Sequence, residues 1–439
     1  MPQSLARRTT GLVAIGLAGV LGACGGGGGG GPTTPQIVAT TLATTGSSPA
    51  LAGCGGAIVP DTPVVVVKDQ NGAPLAAQTV NFSVIGGGGT ISQTTAVTNT
   101  FGQAGVSWTL GNAGAQSMRA TSGSIAPLTF TATLTSTGPF CVELVFTSSP
   151  DPVLRVAAEN AAARWSAIIT GAVPPQPLNE NTYTCAQVSI PPMVRTVRSL
   201  VIYVELAPIP SSTPGLITLG QAAPCWIRDI GGLTVVGAMK LNSDYLINNL
   251  NASQREDVVL HEMGHVLGFG TLWEPITGVT GMATLLQTPA PAGNPIFVGT
   301  QSVAKYVLAG AGAGATSIPV ENCGTGGTIN GHWREASGGS TTTVGFGIEL
   351  MTGYISAPAG QRNPLSAVTI ASLADLGYTV SYAAADIYTL GGQTCPAPLL
   401  AAGNQPSGLV RVGNDWAVEE VGRPIGIVGR DGKVRPIYR

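Results

Sequence analysis

Ten residues, His261 to Gly270, constrain this chain more than any other stretch, because they read H-E-M-G-H-V-L-G-F-G. Histidines four residues apart lie on one face of a helix, one turn above the other, so His261 and His265 can bind the same ion. Glu262 would then lie beside a metal-bound water and could take its proton. The stretch predicts a helix that carries most of a metal centre. The alternative is a buried amphipathic helix whose two histidines are satisfied by hydrogen bonds.

The third metal ligand is predicted from the small number of histidines. The chain has three, and the remaining one is His332 in the sequence N-G-H-W-R-E. A catalytic zinc commonly takes three protein ligands and leaves one position for water. In the compact pattern H-E-x-x-H-x-x-G-x-x-H the last position is Thr271, which is not a useful zinc ligand. We therefore expect His332 to bind the ion, with an acid such as Glu274 as the alternative.

Other features around the motif complete the predicted site. Ser253 with Glu256 three residues later predicts a capping box at the start of the helix, and Gly268 predicts its end. Met351, in the sequence G-I-E-L-M-T-G-Y, is placed to be the methionine of a Met-turn, the hydrophobic floor under the metal. Tyr354 is a candidate stabiliser of an oxyanion, or else a wall residue of the cleft.

Two more acids lie near these residues in the sequence, Glu335 and Glu349. The motif already supplies an acid for catalysis, in Glu262. We therefore expect Glu335 and Glu349 to support the site from outside the ligand set, or to lie at the surface.

The chain at this point resembles the leishmanolysin-type metzincins, including their bacterial relatives. Three pieces carry the resemblance: H-E-M-G-H-V-L-G-F at 261–269, H-W-R-E at 332–335 and E-L-M-T-G at 349–353. The long insertion before the third histidine is part of it, and it extends loosely over about 140–390. Two features depart from the family: the front half is not of the protozoan surface-protease type, and no clear cysteine-switch propeptide is visible. The resemblance implies a zinc endopeptidase in which one zinc ion is held by His261, His265 and His332, with Glu262 as catalytic base and Met351 beneath the site.

The N-terminus predicts export and a lipid anchor. Arg7 and Arg8 precede a short apolar stretch, and the sequence L-G-A-C ending at Cys24 resembles a bacterial lipobox. Residues 1–23 are therefore predicted to be a lipoprotein signal peptide. Residues 24–36 would be a lipidated Cys24 and a glycine-rich tether. This predicts a protein of the bacterial cell envelope, anchored at the outer membrane or cell surface, or a secreted one, since an ordinary secretory signal is the alternative.

Composition limits the partners of this chain. Charged residues make up 10% of the chain and the formal net charge is -2. No basic patch is visible, so nucleic acid is excluded as a partner, and we expect protein or peptide substrates and membrane contact through the lipid anchor only. Six cysteines besides Cys24 could form three disulfides in an oxidising compartment; the pairing stays open, and free buried thiols are the alternative.

Residues 37–137 are predicted to be an all-β, Ig-like sandwich. Val80, Phe82 and Val84 alternate with polar residues, and a similar alternation recurs near Trp108 and Phe130. Asn71-Gly72 is typical of a hairpin turn. The module would be either a spacer that lifts the next domain off the membrane or an adhesion domain.

Residues 138–390 are predicted to be an α+β, metzincin-like peptidase domain, and 391–439 a C-terminal tail or small appendage with a hairpin at Asp431-Gly432. An edge strand beside the cleft could bind an extended peptide by adding it to the sheet. The whole reads as a lipid-anchored zinc endopeptidase; the alternative is a non-catalytic surface adhesion protein with a relic peptidase fold. The predicted elements are strands at 141–146, 200–206 and 233–241 and helices at 154–168 and 365–376.

Overall fold

The computed structural model describes residues 36–45, 51–59, 62–148, 150–210, 216–288, 294–322, 328–335, 345–353, 362–391, 411–412 and 415–437. The predicted signal peptide and Cys24 lie outside these residues, and so do Tyr354, Cys323 and Cys395. The chain divides into two compact units, 1–38 and 39–439. The described helices and strands belong to the second unit.

The N-terminal part of this unit is β-rich. Its strands form a three-stranded sheet in the order β1-β3-β7, a five-stranded sheet in the order β2-β10-β9-β4-β6, and a short pair, β5-β8. Val80, Phe82, Trp108 and Phe130 are buried in one core to which both larger sheets contribute, as the alternation predicted. The strands are β1 (Ala39–Thr44), β2 (Leu51–Cys54), β3 (Val64–Asp69), β4 (Thr79–Gly86), β5 (Thr90–Ile91), β6 (Thr95–Val97), β7 (Gln103–Gly105), β8 (Trp108–Thr109), β9 (Gln116–Thr121) and β10 (Leu128–Ser136).

A disulfide joins this β-rich part to the α+β part. Cys54 at the end of β2 is bonded to Cys141, just before the next strand. The Arg198 guanidinium donates hydrogen bonds to the carbonyls of Gly55 and Gly138, on the two sides of the junction. A second disulfide joins Cys185 and Cys225. Disulfides persist in oxidising compartments, so the two bonds indicate an extracellular or secreted protein.

The α+β part is built on one sheet in the order β11-β16-β18-β17, to which two C-terminal strands, β23 (Asp415–Val421) and then β22 (Arg411–Val412), are added. Strands β11, β16 and β18 are parallel, and β17 runs antiparallel to β18. The strands and helices predicted at 141–146, 154–168, 200–206 and 233–241 are all present. The elements up to the metal-binding motif are β11 (Val142–Phe146), α1 (Pro152–Ile168), β12 (Gln176–Glu180), β13 (Tyr183–Cys185), β14 (Val188–Ile190), β15 (Met193–Val197), β16 (Leu200–Ala207), β17 (Leu216–Arg228), β18 (Thr234–Asn242), α2 (Ser243–Asn249) and α3 (Ala252–Leu267).

Helix α1 supports the helix that carries the motif. Asp151 caps it by accepting hydrogen bonds from the N–H groups of Val153 and Leu154, and Pro152 occupies the first turn, where its missing N–H costs nothing. Its buried face includes Trp165, whose indole N–H donates to the Leu260 carbonyl of α3 at 2.9 Å. Both helices pack in one large core with β11, β16 and β18.

The remaining elements come after the motif in the chain. The predicted final helix is present as α5 and ends at Gly377, which has a left-handed φ of 111°. None of the helices in the described ranges is long and apolar enough to cross a membrane. These elements are β19 (Leu286–Gln287), β20 (Ile296–Phe297), α4 (Thr300–Tyr306), β21 (Ile318–Pro319), α5 (Ala367–Leu376), β22 (Arg411–Val412), β23 (Asp415–Val421), β24 (Gly426–Val428) and β25 (Val434–Pro436).

The C-terminal strands are part of the central sheet. Strand β23 pairs in parallel with the first half of β17, and β24 pairs with its second half. The predicted hairpin at Asp431-Gly432 is present and joins β24 to β25. Sequence reasoning treats 391–439 as a tail or small appendage, because no local pattern predicts pairing with a strand so distant in the chain.

Candidate metal centre

Helix α3 carries the motif, and both of its ends are capped. The capping box predicted at Ser253 and Glu256 is wrong: the helix begins earlier, and Asn251 and Gln254 form the box with hydrogen bonds of 3.0 and 3.1 Å. Both pairs have the spacing of a capping box, but only Asn251 and Gln254 lie at the residue where the helix begins. Gly268 ends the helix in the left-handed conformation, as predicted.

The three histidines converge on one point. The Nε2 atoms of His261 and His265 are 2.8 Å apart, and those atoms lie 3.2 and 3.0 Å from Nε2 of His332. All three side chains are buried. Two nitrogen ligands about 2.0–2.1 Å from a tetrahedral zinc ion would lie about 3.3 Å apart, close to these separations. The predicted third ligand, remote in sequence, is thus brought to the helical pair.

The hydrogen bonds of the other ring nitrogens determine what this cluster can bind. The Nδ1 atoms of His261, His265 and His332 face the backbone carbonyls of Leu350, Phe269 and Thr328 at 2.6, 2.9 and 2.9 Å. A carbonyl only accepts, so each neutral ring carries its proton on Nδ1 and turns a lone pair on Nε2 inward. Three converging lone pairs repel one another unless a cation lies between them. The donor set therefore fits a metal ion.

Glu262 lies between α3 and strand β17. Its side chain is fully buried. A Cβ added at Gly220 of β17 would overlap the Glu262 carboxylate, so only a glycine lets the strand approach this closely. Sequence reasoning missed Gly220, because nothing in the local sequence distinguishes it from other strand glycines.

His332 is positioned by close backbone contacts. Gly270, with a φ of 71°, lies so near Gly331 that an added Cβ would overlap the Gly331 carbonyl. On the other side, the N–H of Trp333 donates to the Met351 carbonyl at 3.0 Å. The Trp333 ring packs against Phe269 with a centroid distance of 5.0 Å. The loop that carries the third histidine is therefore fastened both to the end of α3 and to the predicted Met-turn.

Met351 lies against the motif helix. Its side chain is fully buried, and a Cβ added at Gly264, between the two helical histidines, would lie 2.9 Å from its Sδ. The preceding residue, Leu350, supplies the carbonyl that holds His261. Met351 therefore lies against the helical turn between His261 and His265.

Glu349 holds this turn in place, and it is not at the surface. Its fully buried carboxylate accepts hydrogen bonds from the Met351 N–H at 2.6 Å, from the N–H and hydroxyl of Ser366 at 3.0 and 2.7 Å, and from the Thr369 hydroxyl at 2.5 Å. Burial raises its pKa, while these hydrogen bonds lower it and offset part of the shift. Glu349 therefore connects the Met-turn to the start of α5.

The other candidate residues lie around the histidine cluster or outside the described ranges. Thr271 donates its hydroxyl hydrogen bond to the His265 carbonyl at 2.8 Å. Glu274, the alternative third ligand, pairs with Arg423 at 3.0 Å and is half exposed. Glu335 is buried rather than at the surface, and burial together with Glu321 raises its pKa to about 8. Tyr354, the candidate oxyanion stabiliser, lies outside the described residues.

A buried triad of histidines, two of them on one helix with an acid beside the first, is the donor set typical of a metallopeptidase. Residues 178–397, half of the chain, match the model of the M8 peptidase family, leishmanolysin. The chain belongs to the leishmanolysin family, whose members are zinc metallopeptidases. No curated protein gives a significant match.

Solved structures give only weak likenesses. Domains 4 and 5 of the S-layer protein SbsC are 18% identical over 23% of this chain and 53% of that one, with a TM-score of 0.19. The D00-D0 domain of intimin is 18% identical over 22% and 48%, with a TM-score of 0.17. A Parabacteroides merdae β-glucuronidase is 12% identical over 22% and 12%, with a TM-score of 0.16. The chain spans about half the length of the first two, and scores this low carry no argument about fold or function.

Proposed function

We propose that this protein is an exported, lipid-anchored zinc endopeptidase. One observation carries the proposal: three imidazoles turn their Nε2 lone pairs to one point. Two of these imidazoles, His261 and His265, lie on the same helix as Glu262. His261, His265 and His332 would hold the zinc ion. When bound there, zinc would supply a Lewis acid that polarises a peptide carbonyl and lowers the pKa of a water.

The protein's own groups would divide the remaining work. Glu262 accepts the proton of the attacking water and delivers it to the leaving amine. Gly220 keeps the carboxylate next to β17, because any side chain there would push it away. The carbonyls of Leu350, Phe269 and Thr328 fix the tautomer and orientation of the three rings. Tyr354 is the proposed stabiliser of the oxyanion.

The proposal extends to the front of the chain. Cys24 would carry lipid at the cell envelope, and the glycine-rich tether would separate that anchor from the folded part. We assign residues 37–137 as an Ig-like spacer, supported by two sheets that share one core. The Cys54–Cys141 disulfide would link the spacer covalently to the start of the peptidase part.

The test is the Glu262→Ala variant of the full chain. We expect it to bind one zinc ion per chain and to lose casein cleavage by roughly 100-fold or more, since general base catalysis contributes about that much. Zinc content by metal analysis and release of casein fragments are the two measurements. The full chain is required because a disulfide and the C-terminal strands both cross the borders of the peptidase segment.

Asp244→Ala is the matched control, because Asp244 is an exposed acid on the neighbouring helix α2. It should keep both zinc and cleavage, and a chelator should abolish cleavage in the parent. If Glu262→Ala cleaves casein as well as the parent does, the role of Glu262 is wrong. If the parent binds zinc but cleaves nothing, the adhesion alternative is favoured.

A further inference from the structure

The outer edge of strand β17 is the place where an extended peptide would reach the metal centre. Helix α3 packs on β17, and Gly220 of this strand touches the Glu262 carboxylate. On its inner side, Gly220 pairs with Leu241 of β18. A substrate that adds to the sheet must therefore use the outer side of β17, where backbone hydrogen bonds would place it beside the acid.

Strand β23 already occupies that outer edge. It runs parallel to β17 from Leu216↔Trp416 to Ala222↔Val421, with a register shift between Thr218 and Gly220, and Glu419 lies opposite Gly220. The N–H of Gly422 donates to the Ala222 carbonyl at 2.8 Å and continues the ladder. Because one strand edge pairs with one partner at a time, an incoming peptide and β23 exclude each other.

Residues beyond β23 attach the C-terminal segment to the fold independently of the β23 pairing. Ile427 and Val428 of β24 are buried, and the Val428 carbonyl accepts a hydrogen bond from the Asp229 N–H at 3.2 Å. The Gln176 amide donates to the Gly429 carbonyl at 2.8 Å, and Glu180 accepts from the Val434 N–H at 2.8 Å. On its other side, β23 pairs within the described residues only with the two-residue strand β22. Strand β23 can therefore leave the edge while β24 and β25 stay in place.

The C-terminal segment also lines a cavity next to the end of helix α3. A cavity of about 620 Å³ lies between the residues that follow α3 and the C-terminal strands. Thr271 and Glu274 line one side of it, and Arg423 and Pro424 line the other. The Arg423–Glu274 ion pair crosses it at 3.0 Å, but both side chains are about half exposed, so this pair contributes little.

We propose that β23 is an autoinhibitory strand, which holds the substrate-pairing edge of β17 and keeps the peptidase latent until it is displaced. The proposal rests on the proposed peptidase function. The rate of cleavage should then scale with the fraction of molecules in which the edge is free.

Proline substitution can test the strand with a matched control. The Gly422 N–H points to β17, and alternation along the strand turns the N–H of Glu420 to β17 and that of Glu419 away from it. Proline removes the N–H, so Glu420→Pro weakens the pairing with β17, whereas Glu419→Pro leaves the ladder donors intact. Two readouts are needed: casein cleavage, and binding of a fluorescent peptide with the sequence of residues 411–422, which requires no catalysis.

We expect Glu420→Pro to bind the peptide and to cleave casein about fivefold faster than the parent and Glu419→Pro, the factor for one lost backbone hydrogen bond. If Glu420→Pro binds the peptide but neither it, Glu419→Pro nor the parent cleaves casein, β23 still occupies the edge of β17 and the peptidase function is rejected. Equal cleavage in all three forms would reject autoinhibition and keep the peptidase function. If Glu420→Pro does not fold, Val418→Pro with Ala417→Pro as control repeats the test, and no gain in peptide binding overturns the proposal.

Discussion

The metal centre has two halves that are held in different ways. The helical half is α3 with His261, Glu262 and His265, and the remote half is the pair of segments 328–335 and 345–353. In the helical half the spacing of the ligands follows from the helix itself, because residues four apart share a face. In the remote half His332 and Met351 lie in irregular backbone, fastened to each other by the hydrogen bond from the Trp333 N–H to the Met351 carbonyl.

Buried carboxylates take the place of regular structure in the remote half. Glu349 accepts four hydrogen bonds around the Met-turn. Glu321 accepts from the Glu335 N–H at 2.9 Å and donates its own N–H to the His332 carbonyl at 2.8 Å. Loss of a cap leaves the rest of a helix hydrogen-bonded, whereas loss of the Glu349 carboxylate leaves several groups of the turn without that partner. The difference predicts that single polar substitutions disturb the remote half more than the helical half.

Removal of the remote ligand is the strongest test of this comparison. We expect His332→Ala to lose most of the bound zinc, a larger loss than the roughly 10–100-fold that outer-shell changes cost. Glu274→Ala should keep it, since Glu274 pairs with Arg423 in the structure. Zinc content after dialysis against a weak chelator measures both. Full zinc in His332→Ala together with loss in Glu274→Ala would make Glu274 the third ligand.

Replacement of Glu349 compares the halves directly. In Glu349→Gln the amide NH₂ would face a donor, either the Met351 N–H or the groups of Ser366 and Thr369, and leave it unsatisfied in the core. We expect zinc affinity to fall roughly 10–100-fold. The matched change in the helical half is Asn251→Ala, which removes the cap of α3 and should cost about 1 kcal/mol of stability with little effect on affinity.

Zinc titration and thermal unfolding of both variants provide the measurements. Equal affinity loss in Asn251→Ala and Glu349→Gln would mean that the two halves depend on their polar supports to the same degree.

The sequence predicted the helical half because its chemistry is local. His261 and His265 follow from helical spacing, and His332 followed from the scarcity of histidines. No pattern marks the carbonyls that hold the rings, since every residue has one and only the fold decides which carbonyl lies next to which ring. The role of Gly220 was not predicted for a similar reason, because it depends on contact with a helix distant in the chain.

The sheet was predictable to a similar extent. Apolar runs identified β11, β16 and β18, which are buried on both faces. The pairing of β23 with β17 was not predictable, because strand partners far apart in sequence leave no periodic signal in either strand. The hairpin signal at Asp431-Gly432 was the one clue that this region forms strands.

The smallest expected effect is a pH dependence that belongs to the remote half. Burial, with Glu321 adding to it, raises the pKa of Glu335 to about 8 from 4.5. A raised pKa in the folded state means that the protonated group contributes stability that is fully present below pH 4.5 and is lost as the pH rises through about 8. Glu335→Gln keeps the neutral shape, so its Tm should fall less than that of the parent between these pH values. Exposed Glu274→Gln, at the same zinc saturation, should follow the parent. Parallel Tm curves for Glu335→Gln and the parent would show that Glu335 does not make the remote half sensitive to pH.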